Sequence, residues 1–236
     1  MLDFKNRSAQ TELLDQDNIP FKDIKHNMQE LNTINTLLGG HAITLDGLKF
    51  YLNEKNTTLH IVEIGCGGGD NLYVLQQYLK RKNIPFTLTG IDIKQECIDF
   101  AKSKYSHIEF ICADYKAIKF EQKPSVIFSS LFCHHFTNDE LVSMLLWMKN
   151  YTDVGFFIND LHRHFLAYWS IKILTLIFSS SYLVKNDAPI SVTRGFIKKE
   201  WEAIFSDAEI NSYTIKWKWA FRHLIVFKHK YLPSHT

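Results

Sequence analysis

Four histidines fall in two short runs, His134-His135 and His162-Arg163-His164, and imidazole is the side chain that gives and takes protons near neutral pH. Each run follows an apolar stretch with strand character, residues 125–130 and 154–158, so the pattern predicts two strand ends that carry proton acceptors. His134 and His162 are the leading candidates for a general base, with His135 beside them. For His135 the alternative is a buried hydrogen-bonding residue that supports the strand end. Asp160 stands between the fifth strand and the second run, where it is expected to orient His162 or His164.

A second group is Val62-Glu63-Ile64-Gly65-Cys66-Gly67-Gly68-Gly69-Asp70, an apolar run, a glycine turn and a helix start. Backbone without Cβ lets a ligand approach the main chain closely, and the helix N-terminus that follows offers free N–H groups to a polar ligand. A dinucleotide fingerprint GxGxxG would need its third glycine at position 70, which is Asp70. Residues 86–91 then form a short apolar strand closed by Asp92, 23 residues beyond Gly69, where an acid accepts ribose hydroxyls. The alternative for Asp92 is an N-cap of the helix expected at 94–105.

With Glu63 two residues before the first glycine, the turn reads ExGxGxG and resembles motif I of the class I S-adenosylmethionine-dependent methyltransferases. The resemblance implies S-adenosyl-L-methionine as cofactor. It implies contacts from Glu63, Gly65, Cys66, Gly67 and Gly69, from Asp92 and Ile93, from Asp114 at the adenine amino group with Tyr115 beside the ring, and from Ser129. An ordinary loop aspartate is the alternative for Asp114. Amino-directed DNA and protein methyltransferases usually carry an Asn/Asp-Pro-Pro-aromatic run after the fourth strand. This chain has Ser129-Ser130-Leu131-Phe132, and its His-His is similar to small-molecule and quinone- or polyketide-type methyltransferases.

The elements that position these groups read as strand–helix repeats. Helical periodicity recurs over 11–51, 71–82, 94–105, 138–150, 165–178 and 196–205, and strand patterns over 59–64, 86–91, 108–112, 125–130, 154–158, 209–217 and 221–228. Gly39-Gly40 is expected to end the first helix, and 179–193, with Pro189, reads as a linker. The fold expected is α/β and Rossmann-like, a seven-stranded mostly parallel sheet with helices on both faces and an antiparallel last strand. One domain is expected over 1–236: an N-terminal helical cap or lid at 1–57, and a cofactor-binding core at 58–236 with a hydrophobic helical insertion at 162–192.

At 236 residues the chain is long enough for one large core. Lys+Arg 27 against Asp+Glu 25 gives +2 with no long run of either sign, which speaks against a nucleic-acid partner. Cys66, Cys97, Cys112 and Cys133 show no metal-like spacing, so no metal is expected and reduced, cytoplasmic thiols are the plain reading. Segment 165–178 is apolar on nearly every face, yet 17 residues counted from His162 span only roughly 25 Å, short of the ~30 Å of a bilayer core. It is expected to roof the acceptor site with Phe165 and Trp169, and to turn any remaining apolar face to a second subunit of a homodimer or to a lipid surface as a peripheral membrane contact.

Those aromatics suit a flat, hydrophobic small-molecule substrate, a hydroxyl acceptor would use the histidines as base, and the resemblance implies Arg194 as a substrate contact and O-methylation of an aromatic, polyketide or quinone-like acceptor. Two other readings stay open: C- or N-methylation of a lipid-like acceptor at a membrane surface, and an inactive cofactor-binding module.

Overall fold

A computed structural model describes residues 3–16, 19–52 and 58–230. Its centre is a seven-stranded sheet of order β3-β2-β1-β4-β5-β7-β6. The strands are β1 (Leu59–Ile64), β2 (Phe86–Asp92), β3 (Glu109–Cys112), β4 (Val126–Ser130), β5 (Gly155–Leu161), β6 (Tyr213–Lys218) and β7 (Arg222–Lys228). β1 to β5 pair in parallel, and β7 runs antiparallel to both β5 and β6. Parallel pairing needs cover on both faces, and the period of two supplies it. Val62, Ile64, Phe156 and Ile158 pack one way, while Ile61, Phe128 and Phe157 pack the other.

The first face is covered by α5 (Asn138–Tyr151) and α8 (Lys198–Asp207), whose Leu141, Met144, Leu145, Trp201 and Phe205 are buried in that core. The second is covered by α2 (Gly40–Lys49), α3 (Asp70–Arg81) and α4 (Gln95–Lys104) through Ile43, Leu48, Leu72, Leu75, Leu79 and Ile98.

The helix expected from residue 11 starts at Phe21, preceded by a 3-10 turn at Leu13–Asp15, and β6, expected from 209, starts at Tyr213; three further elements depart from the sequence reading. Gly39-Gly40 ends α1 (Phe21–Leu37) but also starts α2: Gly39 takes φ +75° as its N-cap, and the chain reverses into a second helix instead of leading to β1. Residues 179–193 are no linker. They hold α7 (Tyr182–Arg194), capped by the Ser181 side chain and carrying Pro189 inside. Proline costs a helix one backbone bond, and here the burial of Leu183, Val184, Ile190 and Val192 offsets it. β5, expected to stop at 158, continues to Leu161 because β7 pairs with it residue by residue to Arg222.

α6 (Phe165–Phe178) has the bounds expected of it. The boundary expected at 57–58 falls next to residues outside those described. The segment before α1 is tied across the carboxyl ends of the sheet by arginines. Arg163 binds Phe4 O and Lys5 O at 3.1 and 3.0 Å, and Arg194 binds Gln10 O at 3.1 Å. Asp187 of α7 accepts the N–H groups of Leu13 and Leu14 at 2.8 and 2.9 Å.

Candidate active site

A cavity of about 590 Å³ opens where the carboxyl ends of β1, β2, β4 and β5 meet α1, α6, α7 and the N-terminal segment. Topological switch points of open α/β sheets are where ligands bind, and β1 lies at one, between β2 and β4.

One end of the cavity is polar. Gly65, Cys66, Gly67, Gly68, Glu63, Asp92 and Ile93 line it. Gly65 has φ +67°, and a Cβ there would stand 2.2 Å from the Phe132 ring. At Gly67, φ +48°, a Cβ would meet nothing within 4 Å, so the backbone borders open space. Gly69 is the left-handed N-cap of α3 and shapes the turn. Asp92 accepts Gly67 N–H at 2.8 Å and Lys94 N–H at 2.9 Å, with burial pushing its carboxyl up. Asp92 is not the N-cap of α4, which is Lys94 without a side-chain cap, and each of its oxygens keeps a lone pair beyond the backbone bond it accepts.

Glu63 accepts Asn71 Nδ2–H at 2.9 Å through one oxygen, and the other is buried without a partner. Burial, and Asp70 beside it, push the Glu63 carboxyl well above the usual range. Across the floor, Arg222 donates to Asn35 Oδ1 at 3.0 Å, while its Nε and Nη1 are buried without partners. Burial draws this guanidinium down to about 10. Unsatisfied buried charges are costly, so a floor with a free carboxylate oxygen and free guanidinium nitrogens suits a ligand that brings both an ammonium and a carboxylate.

His134 lines the cavity as well. Leu131, at φ +52°, turns the chain out of β4 and a 3-10 turn at Cys133–His135 follows. Register Ser130↔Asn159 puts Asp160 beside this turn. Asp160 accepts Phe132 and Cys133 N–H at 3.1 and 2.7 Å, Leu161 N–H at 2.7 Å, and His134 Nδ1 at 2.8 Å. Burial would raise the Asp160 carboxyl, but His134 and these N–H donors hold it below the usual range. An ionised carboxylate only accepts, so His134 donates to it from Nδ1, which turns Nε2 away from Asp160. His135, partly exposed, also borders the cavity and meets Asp15 through Nδ1 at 3.3 Å.

The other expected residues stand elsewhere. His162 does not line the cavity: its Nδ1 accepts the Trp217 Nε1–H at 3.1 Å, and burial with His164 nearby lowers its affinity for a proton. His164 caps α6 by accepting Leu166 N–H. Asp160 therefore orients neither of them. Ser129 points into the core, against Cys133 Sγ at 3.3 Å, and Ser130 takes the place on the cavity wall. Tyr115 is buried against Trp147 with ring centroids 5.0 Å apart, and Asp114 is exposed and accepts Lys116 N–H at 2.9 Å; neither reaches the wall.

Phe165 and Trp169 are 51% and 48% exposed and face outward, and the roof is made by Ala167, Ser170, Ile171 and Leu174 of α6. Arg194 is buried and braces the histidine turn, donating to His134 O at 3.1 Å and His135 O at 2.9 Å. The apolar lining of the cavity is completed by Met28, Leu31 and Ile34 from α1, by Leu38 just after it, by Val192 and by Trp219. Glu12, Asp15, Asp70, Asn71, Asn35 and Arg222 also line it and were not singled out by spacing. Asp70 and Asn71, directly after the glycines, carried a signal in their position; the others did not.

Residues 61–155 match a protein-family model described as Methyltransferase domain. A stretch of 67 residues is 36% identical to 5-methylorsellinic acid synthase of Aspergillus terreus, covering 28% of this chain and 2% of the length of that relative. Among solved structures, the plantazolicin methyltransferase BpumL in complex with SAH superposes with TM-score 0.65 at 18% identity, covering 92% of this chain and 91% of that one. The citrinin polyketide synthase CMeT domain superposes with TM-score 0.54 at 14% identity, over 77% of this chain and 49% of that one.

Proposed function

We propose, from the match of residues 61–155 to the family model described as Methyltransferase domain, that the chain is an S-adenosyl-L-methionine-dependent methyltransferase acting on a hydrophobic small molecule, by O-methylation of an aromatic, polyketide or quinone-like acceptor. The observation that carries this reading is one cavity lined by the glycine turn, by the unpartnered polar atoms of Glu63 and Arg222, by apolar side chains of α1 and α6, and by an imidazole held by Asp160.

Glu63 and Arg222 would hold the ammonium and carboxylate of the cofactor, Asp92 its ribose hydroxyls, and the backbone at Gly67 would lie against it. When bound, S-adenosyl-L-methionine supplies an electrophilic methyl group on a sulfonium. The chain's own work is to bind, align and dehydrate the acceptor, and orientation of this kind contributes ~7 to 11 kcal/mol. His134 Nε2 takes the proton of the acceptor hydroxyl, and the buried Asp160 carboxylate stabilises the imidazolium that results. Leu31, Ile34, Ile171, Leu174 and Val192 keep water from that proton transfer and favour an apolar acceptor.

The outward side of α6 is assigned to a lipid surface. Leu174 and Trp219 border the cavity and are exposed as well, so the apolar face of the helix is continuous with the cavity mouth, a route for an acceptor dissolved in lipid. Lys172 lies 5.1 Å over the Trp169 ring, where it can meet an anionic head group.

The test is turnover of labelled donor against phenolic, polyketide and quinol acceptors, with SAH affinity measured alongside. Methylation at oxygen that requires His134 supports the reading. SAH binding with no turnover on any acceptor would leave a binding module.

A further inference from the structure

His134 and His135 are arranged alike. Each ring is tied through Nδ1 to a carboxylate, His134 to Asp160 at 2.8 Å and His135 to Asp15 at 3.3 Å. Each therefore turns Nε2 the other way, and both Nε2 atoms face one side chain. His134 Nε2 is 3.6 Å from Glu12 Oε1 and His135 Nε2 is 4.0 Å from Glu12 Oε2. These separations exceed hydrogen-bond length, so the buried Glu12 carboxylate is not satisfied by either ring; its one side-chain bond is from Ser191 Oγ at 2.7 Å. Two lone pairs and an under-satisfied anion converge, with one ligand atom from each residue lying within 4.8 Å of the others.

We propose that Glu12, His134 and His135 form a binding site for a divalent transition-metal cation, of the zinc, cobalt or manganese class, in the wall of the cavity. The donor set decides the class. Two imidazoles and one carboxylate suit such ions, whereas magnesium and calcium take oxygen ligands. The carboxylates behind the two rings are the outer partners that metal-bound histidines require, fixing the tautomer and raising ligand basicity. Bonds of ~2.0 to 2.2 Å put ligand atoms about 3.0 to 3.6 Å apart, so closure asks for a small inward shift of Glu12 and His135, both on short segments at the cavity edge. All three residues line the cavity.

Bound there, a cation links the N-terminal segment to the histidine turn. It also occupies the lone pair that would otherwise take the acceptor's proton. The site rests on this geometry and not on the nature of the acceptor, so binding tests it independently of turnover.

The experiment is titration of the EDTA-dialysed full chain with Co²⁺ and Zn²⁺, followed by calorimetry and by the visible absorption of Co²⁺. One ion per chain is expected, with visible cobalt bands, and a rise in melting temperature with Zn²⁺. Glu12→Gln and His135→Gln should each weaken binding by at least about tenfold, and Asp15→Asn by about 10- to 100-fold, as for outer-shell partners. SAH affinity, measured on every variant, reports whether the fold and the cofactor end are intact. Absence of saturable one-to-one binding in the parent chain, or unchanged affinity in Glu12→Gln and His135→Gln with SAH binding intact, overturns the proposal.

Discussion

Asp160 is the residue on which the chemistry of the cavity depends without touching an acceptor. It accepts three backbone N–H groups and one imidazole N–H, and so fixes both the position and the tautomer of His134. Replacement by asparagine keeps the shape but removes the charge that stabilises imidazolium. Asp160→Asn should lower turnover by ~10² to 10⁴, the range of a general base, while SAH affinity is retained. Equal loss of SAH binding would mean that the turn had collapsed and that the proton-transfer role was not being read. Asp92→Ala should do the reverse at the other end, weakening SAH by about 1.5 to 3 kcal/mol as measured by calorimetry. Unchanged affinity would leave Asp92 as a cap for the Gly67 and Lys94 amides alone. Asp92 and the glycines were legible from spacing, because strand, turn and acid are close in sequence. The pairing of Asp160 with His134 was not, because it is made across neighbouring strands, and short spacing drew attention to His162 instead.

At the scale of elements, the pattern of strands could be read because each is a short apolar run with a period of two. Two helices resisted for physical reasons. α7 was hidden by Pro189, whose cost is offset only by tertiary burial. α6 is apolar all round, so its periodicity could not say which face turns inward. Large aromatics seemed suited to the roof, but the wall is made with Ala167, Ser170 and Ile171, smaller side chains that let the helix sit close.

β7 carries a prediction of its own. His223 is buried, and burial, with His162 nearby, draws its affinity for a proton down to about 4. Between pH 6.5 and about 4 the unfolded chain then binds a proton that the folded chain refuses. Stability from this group is complete above pH 6.5 and falls on acidification, with a slope of at most about 1.4 kcal/mol per pH unit. Urea melts at pH 7 and pH 5 should show a larger loss in the parent chain than in His223→Phe. An equal loss would place the acid sensitivity in other groups, such as His60, whose burial acts in the same direction.

For the whole molecule, the question is what meets the outer face of α6. Phe165, Trp169, Ile173 and Ile177 recur along one side, with Leu166, Leu176 and Phe178 flanking them and Tyr182 just beyond, all exposed. Such a patch marks an interaction surface in a soluble protein. Among the described residues no helix is long and apolar enough to cross a membrane, and the contact proposed for this face is a lipid surface, with another protein as the competing one. Each large side chain moved out of water contributes ~1.5 to 3 kcal/mol when fully covered. Several half-covered ones are therefore enough for reversible attachment, while the net charge of +2 adds little.

The expected outcome is co-sedimentation with both neutral and anionic vesicles, moderately stronger with the anionic ones through Lys172. The double substitution Ile173→Asp and Ile177→Asp should abolish it while leaving SAH affinity and the melting temperature unchanged, since neither side chain lines the cavity or joins a core cluster. If the parent chain ignores vesicles and is instead a dimer that the same substitutions separate, the face belongs to a second copy, and the acceptor must reach the cavity from solution.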